Sequence, residues 1–363
     1  MKRNLRVHKI ASVTHRLKLT PQVELLEEGM PEVGNVVVVQ ALQEKRVYNT
    51  LELCSGRMAK ILKGDIIVGV LGARGALKGY VGRVPTRLAP GDRLHVLNLG
   101  GVIGECTSEG GDVGKPLECR FLGMAMRGNE VLSIRKDVIA ERERLEKCPP
   151  LVLVAGSCMN AGKTIAACET IAGFTARGLR VGAGKVSGVA CLKDTLGMLD
   201  HGAVEAYSFL DCGHPSTARF DSVVGLTKGI IAALVAEHNP DVIVLELGDG
   251  VIGAYGPSSL FLDEEIRRST ALLVFCANDL VAAWGGQAYL RTLGVEISIL
   301  SGPATDNEVG TQYSENSLEI PAANAQTDPQ RLTGLAVQAL SRATRTGVGI
   351  SGKIPFAEQV VAR

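Results

Sequence analysis

The sequence predicts two domains, a small β-rich, barrel-like domain and then an α/β domain with a doubly wound, mainly parallel sheet. Short Val-, Ile- and Leu-rich runs separated by glycine fill the first part of the chain, which is typical of a small β domain. A Cys-Pro-Pro sequence at 148–150 interrupts this pattern. Beyond it, continuous apolar runs alternate with helical segments, as in a parallel sheet covered by helices on both faces.

The chain is long enough for this division. It has 363 residues, of which 46% are hydrophobic, whereas one domain commonly takes about 100 to 200 residues. Ser133 is expected to cap a charged helix over 135–147, which the two prolines then end. The predicted boundaries are a β-rich domain at 1–133, a charged helix and linker at 134–150, the α/β domain at 151–345 and a C-terminal tail at 346–363.

Apolar periodicity places the individual elements. In the β-rich domain, strands are predicted near 35–40, 65–71, 93–97 and 116–122. In the α/β domain, strands are predicted near 151–155, 179–184, 242–247, 271–276 and 296–300. Helices are predicted near 164–177, 222–238, 259–268, 280–293 and 331–345.

Composition narrows the class of partner. Lys and Arg number 39 against 38 Asp and Glu, and no block of like charge suggests a nucleic-acid or membrane surface. No run of about 18 apolar residues suggests a membrane span. The nine cysteines are scattered without a CxxC pair, which favours a reducing, cytoplasmic location. We therefore expect a small-molecule partner and neither nucleic acid nor membrane.

The most specific motif follows the first strand of the α/β domain. The apolar run 151–155 leads into Gly156-Ser157-Cys158-Met159-Asn160-Ala161-Gly162-Lys163-Thr164 and then a helix. In such a unit, backbone N–H groups hold phosphate oxygens, the lysine contacts the outer phosphates and the hydroxyl binds Mg²⁺. The strict G-x-x-x-x-G-K-[ST] pattern requires glycine at 157, whereas this chain has its glycine at 156. The flanking strand and helix nevertheless predict a P-loop, or Walker A motif, over 156–164.

Two acids are predicted to complete a metal site with Thr164. Glu246 follows four apolar strand residues, where a carboxylate is better explained by a nearby cation or water than by core packing. Asp194, after the second strand of the α/β domain, is the other candidate Mg²⁺ ligand. Asp249, between two glycines, is a further candidate for the same ion or for a substrate amine.

Lys163, Lys185 and His214 are the candidate catalytic residues. Lys185 ends the second strand among small residues, so its ammonium should face the phosphate site at the carboxyl edge of the sheet. His214 lies in a loop sequence and is a candidate base, although an isolated loop histidine is also often structural.

Taken together, these motifs resemble known P-loop proteins. The loop at 156–164, Lys185-Val-Ser-Gly and Glu246-Leu-Gly-Asp-Gly, in this order, resemble the dethiobiotin synthetase-like group of NTPases. With Met198-Leu-Asp-His-Gly-Ala-Val and Phe209-Leu-Asp-Cys-Gly-His-Pro-Ser-Thr included, 151–302 is more similar to a P-loop family of unknown function that includes D-glutamate N-acetyltransferases.

The resemblance implies a P-loop NTPase-like fold with an ATP-type nucleotide on the loop. It implies Mg²⁺ held by Thr164 with an acid such as Asp194 or Glu246, and an acidic or amino-acid-like small molecule near Lys185. It also implies a homodimer or higher homo-oligomer. The N-terminal half departs from the relatives, which carry a Rossmann-like domain where this sequence predicts β structure.

Three functions are compatible with these motifs. The first is an ATP- and Mg²⁺-dependent enzyme of the kinase or ligase type that phosphorylates or activates a small carboxylate or amine. The second is a D-amino-acid N-acyltransferase whose loop holds the phosphates of acetyl-CoA. The third is a nucleotide-dependent switch or metallochaperone, although a His- or Cys-rich tract is missing. ATP and GTP are not distinguished, because only Asn278-Asp279 and Thr305-Asp306 stand in for an Asn-Lys-x-Asp sequence.

Overall fold

The computed structural model describes residues 2–345. The chain forms two compact units. The first, here called the β unit, contains the residues up to Ile139 together with 188–193 and 209–219. The second, the α/β unit, contains 140–187, 194–208 and the chain from Phe220 onwards. The predicted C-terminal tail at 346–363 lies outside the described residues.

The β unit is built from short strands and one 3₁₀ helix at Ser12–Leu17. The strands are β1 (Lys2–Arg6), β2 (Lys9–Ile10), β3 (Gln22–Leu26), β4 (Val36–Ala41), β5 (Thr50–Glu52), β6 (Met58–Lys60), β7 (Ile66–Leu71), β8 (Arg74–Gly75), β9 (Tyr80–Arg83), β10 (Arg93–Val96), β11 (Val102–Glu109), β12 (Leu117–Arg127) and β13 (Glu130–Val131).

Five of these strands close into a barrel. Strand β12 pairs with β4, β4 with β7, β7 with β11, β11 with β10, and β10 returns to β12. All of these pairings are antiparallel except that of β7 with β11. Val36 to Val39 are fully buried, so β4 buries apolar β-branched side chains on both of its faces, and every second one faces the barrel interior. The predicted β-rich, barrel-like domain is confirmed, with β12 longer than expected.

The predicted charged helix over 135–147 is wrong, because these residues form no regular secondary structure. Their alternating acids and bases supply no apolar stripe that a helix could bury. Backbone groups bond to distant segments instead: the Ile139 N–H donates to the Asp211 carbonyl, and the Arg142 N–H donates to the Gly225 carbonyl.

The α/β unit alternates strands and helices, with further 3₁₀ turns at Pro257–Phe261 and Pro303–Thr305. In chain order its elements are β14 (Leu151–Gly156), α1 (Lys163–Thr175), β15 (Val181–Ser187), α2 (Leu192–Asp200, whose first two residues belong to the β unit), β16 (Glu205–Ser208), α3 (Val224–His238), β17 (Val242–Leu247), α4 (Glu264–Ser269), β18 (Thr270–Cys276), α5 (Leu280–Thr292), β19 (Ile299–Ser301), α6 (Glu308–Ser317) and α7 (Pro329–Arg345).

All six strands of this unit form one parallel sheet in the order β16-β15-β17-β14-β18-β19. Val152, Val154, Val242 and Val244 pack in one apolar cluster that also takes residues of α1 and α7. Helix α3 contacts β15 and β16. Strands β14 and β17 are buried along their whole length, which confirms the predicted doubly wound, mainly parallel sheet. Helices α2 and α6 and strand β16 were not predicted.

Two segments inside the predicted α/β domain belong to the β unit. Residue Ala190 is held there because the Asn98 side-chain amide donates to its carbonyl over 2.8 Å. A Cβ on Gly100 would lie 2.1 Å from the same carbonyl oxygen, so only glycine allows this approach. Along residues 2–345, no helix is long and apolar enough to cross a membrane.

Candidate functional site

The loop between β14 and α1 has the geometry of a phosphate cradle. Its N-cap residue, Gly162, has a positive φ of 90°, and no side chain caps the first turn of α1. The first N–H groups of a helix have no partner within the helix, so those of α1 are available to an anion. Asn160 also has a positive φ, of 61°. The loop therefore presents backbone donors and the positive end of a 13-residue helix.

Lys163 points into this loop. It is only 5% exposed, and its ammonium donates to the Cys158 carbonyl over 2.7 Å. The Ser157 hydroxyl, at the position where the strict motif has glycine, is buried without a hydrogen-bond partner among the described residues. Buried polar groups are nearly always paired in folded proteins, so this hydroxyl marks a place where a ligand could bond.

Thr164, Glu246, Lys185 and Asp194 lie together at the carboxyl edge of the sheet. The Thr164 hydroxyl donates to Glu246 Oε1 over 2.9 Å, and the Lys185 ammonium lies 3.9 Å from the same oxygen. Lys185 also forms an ion pair with Asp194. Strand β15 lies beside β17, with Lys185 opposite Glu246 in the register, which explains why sequence-distant residues meet here.

Burial dominates the electrostatics of this group. Burial raises the pKa of the Glu246 carboxyl, and Lys185 opposes the effect while Asp194 reinforces it. Burial likewise lowers the pKa of Lys163, against the attraction of Glu246. Both pKa shifts disfavour the charged forms of these side chains. The charge of a ligand that brings new partners would therefore be compensated by this group of residues as a whole.

Two glycines after β17 hold this strand end against its neighbours. A Cβ on Gly250 would lie 2.3 Å from the Ser157 carbonyl oxygen, and one on Gly248 would lie 2.2 Å from that of Ser187. The Val251 N–H donates to the Gly156 carbonyl over 3.0 Å. In the Gly-Asp-Gly sequence, Gly250 therefore allows close backbone approach to the P-loop and Gly248 allows close approach to the end of β15, which composition alone does not reveal.

The structure does not bring every predicted residue together. His214 belongs to the β unit, where its backbone N–H donates to the Phe209 carbonyl, and its catalytic role stays a prediction. Sequence reasoning missed a contact on the other side of the loop. The Asn278 side-chain amide donates to Cys158 Sγ over 2.8 Å, which ties the end of β18 to the P-loop.

The chemistry of the donors fits a magnesium ion. Glu246 Oε2 is buried and has no hydrogen-bond partner among the described residues, and Thr164 and Asp194 supply further oxygens nearby. Between residues 2 and 345, no group of three or more His, Cys, Asp and Glu side chains is placed to hold a metal. Mg²⁺ keeps several waters and shares phosphate oxygens, so it requires few protein ligands.

Comparisons with known proteins give weak similarity. No protein-family model matches the sequence, and no curated protein matches it. Among solved structures, the signal recognition particle receptor FtsY from Elizabethkingia anophelis aligns at 11% identity, over 56% of this chain and 68% of its own, with a TM-score of 0.33. FtsY from Thermotoga maritima aligns at 16% identity over 56% and 73%, with a TM-score of 0.34. A DUF1611 family protein from Anabaena variabilis aligns at 14% identity over 59% and 66%, with a TM-score of 0.38.

The α/β unit has the fold of a P-loop NTPase: a central β14, a loop at 156–164, a following helix, and an acid at the end of the adjacent strand β17. The resemblance to D-glutamate N-acetyltransferases stays a prediction.

Proposed function

We propose that the chain binds a nucleoside triphosphate and Mg²⁺ at the P-loop and transfers the terminal phosphoryl group to a small carboxylate or amine. The observation that carries the proposal is the contact between Thr164 and Glu246, because it joins the P-loop hydroxyl to a buried acid with a free oxygen. Phosphoryl transfer depends mostly on positioning and charge neutralisation, and the residues present supply both.

Charge balance supports this proposal. Lys163 and Lys185 offset Asp194 and Glu246, so these four buried or partly buried side chains are together close to neutral before a ligand binds. A triphosphate adds several negative charges, which a divalent cation and the N-terminus of α1 would offset. Thr164, Glu246 and Asp194 would hold that Mg²⁺, and the ion would neutralise negative charge on the phosphoryl oxygens.

We place the acceptor beside Lys185. This ammonium lies at the carboxyl edge of the sheet, where ligands of open α/β sheets bind, and it borders the P-loop acid. An acidic acceptor would compete with Asp194 for the Lys185 ammonium and would so be held next to the phosphates. A small acidic or amino-acid-like substrate meets these conditions.

The test is nucleotide binding by Lys163→Ala. Loss of the charge-assisted contacts to phosphate should weaken ATP or GTP affinity about a hundredfold or more, because such bonds are each worth about 1.5 to 3 kcal/mol. Titration calorimetry on the full chain measures this, with ATP, GTP and acetyl-CoA tested in parallel. Because Lys163 is 5% exposed, Lys163→Met is a second variant that keeps the apolar stem in place.

Lys147→Ala is the matched control, since it removes a charge from an exposed lysine of the same unit. It should leave affinity unchanged. Unchanged nucleotide affinity in both Lys163 variants would overturn the proposal. Binding of acetyl-CoA without ATP or GTP would replace it with the acyltransferase function.

A further inference from the structure

A pocket of about 140 Å³ opens beside the P-loop in the α/β unit. One wall comes from the loop and the first turn of α1, with Asn160, Gly162 and Ile165. The opposite wall is formed by residues that follow β19, including Pro303 and Asp306, and by residues that follow α6. A ligand whose phosphates lie on the N–H groups of α1 would therefore have its remaining part next to this pocket.

The segment after β19 is fixed tightly against the loop. A Cβ on Gly302 would lie 2.3 Å from the Ala161 carbonyl oxygen, and one on Gly162 would lie 3.4 Å from Gly302 Cα. Ile165 is 41% exposed although it is apolar, and Pro303 is exposed as well. These two side chains offer apolar surface against which a flat, hydrophobic ring could pack.

Asn324 holds the one carboxylate of this pocket in place. It is 5% exposed, and its amide nitrogen donates to Asp306 Oδ1 over 2.7 Å and to the Gly302 carbonyl over 3.2 Å. Its amide oxygen accepts from the N–H groups of Gln326 and Thr327. Asn324 is thus fully engaged, which leaves the Asp306 carboxylate as the charged acceptor that faces a ligand.

The other candidates for a base-contacting pair are used elsewhere. Asp279 caps helix α5, with its carboxylate accepting from the Ala282 N–H over 2.7 Å. Asn278 donates to the Cys158 sulfur. Thr305, next to Asp306, is buried and donates to the Gly302 carbonyl. Of the residues that the sequence offered for recognising a base, Asp306 is the one in the pocket.

We propose that Asp306 recognises the nucleobase and selects guanine over adenine, so that the phosphate donor of this chain is a guanine nucleotide. The inference rests on the proposed function, because it assumes that phosphates bind the loop. A carboxylate is an acceptor only, and guanine presents two adjacent donors, N1–H and the N2 amino group. Adenine presents a lone pair at N1, which would face the carboxylate unfavourably.

The test compares GDP, ADP and XDP, each with Mg²⁺, by calorimetry on the full chain. We expect wild-type protein to bind GDP at least about tenfold more tightly than ADP, because guanine donates two charge-assisted bonds to the carboxylate where adenine presents a lone pair. In Asp306→Asn the side-chain oxygen can still accept from Asn324, while the new amide can donate to the C2 carbonyl of xanthine. This variant should lose the preference for GDP and bind XDP most tightly.

The control is Glu308→Gln, which removes an exposed negative charge two residues away and outside the pocket. It should keep the GDP preference. Equal or tighter binding of ADP by the wild-type chain would overturn the inference while the P-loop proposal stands, provided that Lys163→Ala weakens both nucleotides. A GDP preference that survives in a folded Asp306→Asn variant would also overturn it. Failure to bind any diphosphate would instead remove the proposed function and the inference together.

Discussion

Glu52 of the β unit and Glu246 of the α/β unit are both buried, but their carboxylates are satisfied in different ways. In the β unit, Glu52 is fully buried, and its carboxylate accepts from the backbone N–H groups of Leu192 and Lys193, each over 2.7 Å. In the α/β unit, Glu246 meets a hydroxyl and two lysines, and one of its oxygens has no described partner.

The difference separates two uses of a buried charge. A carboxylate that accepts hydrogen bonds from backbone N–H groups, as a helix cap does, has its bonding capacity fully used by the fold. A buried carboxylate that pairs with side-chain cations and keeps one oxygen without a hydrogen bond lowers the stability of the fold, unless a ligand bonds to that oxygen. We therefore expect substitution of Glu246 to change chemistry, and substitution of Glu52 to change stability.

The largest effect is expected for Glu246→Gln. The amide is nearly isosteric and can still accept from Thr164, but it lacks the charge that Mg²⁺ requires, so Mg²⁺-dependent turnover should fall about a hundredfold to a thousandfold. Nucleotide affinity should stay within about tenfold of wild type. Release of the nucleoside diphosphate with increasing Mg²⁺ measures turnover, and calorimetry measures affinity.

Glu264→Gln is the control for this variant, because Glu264 lies on α4 and its side chain is 74% exposed. It should behave as wild type. If Glu246→Gln retained full turnover and unchanged Mg²⁺ dependence, Glu246 would be a structural acid like Glu52, and the comparison between the two units would fail.

Lys185→Met should lower turnover about a hundredfold with at most a tenfold effect on nucleotide affinity. The reason is that its ammonium borders Glu246 at the carboxyl edge of the sheet, where charge develops between donor and acceptor. Steady-state kinetics distinguishes a second outcome. If Lys185 only anchors the acceptor, KM should rise while turnover at saturation holds.

A double variant separates these roles from a structural one. Lys185→Met removes the ion pair between Lys185 and Asp194, and Asp194→Asn removes the acid of that pair. The double variant is compared with Asp194→Asn alone, because Asp194 is also a proposed Mg²⁺ ligand. If Lys185 acts on the reactants, the double variant turns over more slowly than Asp194→Asn. Equal turnover in these two variants would mean that Lys185 serves only to neutralise Asp194.

The sequence predicted five of the six strands of the α/β unit, because continuous apolar runs such as 151–155 and 242–247 can only be buried on both faces. In the β unit it predicted β4, β7, β10 and β12 and missed the other strands. It failed where local pattern does not decide structure. The helix over 135–147 was expected from its charges, but backbone bonds to distant segments hold it irregular. Segments 188–193 and 209–219 join the β unit through tertiary contacts that no local periodicity reveals.

The candidate site was predicted in its parts but not in its connections. Thr164, Asp194, Lys185 and Glu246 were each identified, because residues at the ends of parallel strands meet at one edge. Their pairing depends on strand register, which places Lys185 opposite Glu246. The pocket at Asp306 was not predicted, because Asn324, whose amide donates to the Asp306 carboxylate, lies 18 residues further along the chain with no motif around it.

Glu52→Ala should destabilise the chain with little effect on nucleotide affinity. It removes the acceptor for two backbone N–H groups at the start of α2, at a cost of about 2 kcal/mol in the free energy of unfolding. Glu52→Gln keeps one acceptor oxygen and should cost less. Urea unfolding measures stability, and calorimetry should find affinity within about threefold of wild type. Weaker nucleotide binding at unchanged stability would contradict the distinction between the units.

The smallest effect is expected at the arginine-lined pocket of the β unit, which has a volume of about 380 Å³. Arg83 and Arg93 line it but already pair with Glu105 and Glu118 over 3.1 Å and 2.6 Å, and all four side chains are at least 36% exposed. Exposed pairs contribute little, so Arg83→Ala should change the free energy of unfolding by less than about 1 kcal/mol.

Inorganic phosphate tests whether this pocket is a site at all. Because carboxylates already offset two of its arginines, titration with phosphate should raise the stability of wild type and Arg83→Ala equally. Lys163→Ala provides the opposite case, since phosphate bound at the P-loop would stabilise wild type more than that variant. If Arg83→Ala alone lost the phosphate effect, the β unit would hold an anion site of its own, and a buried, unpaired oxygen would no longer be what distinguishes a functional region of this chain.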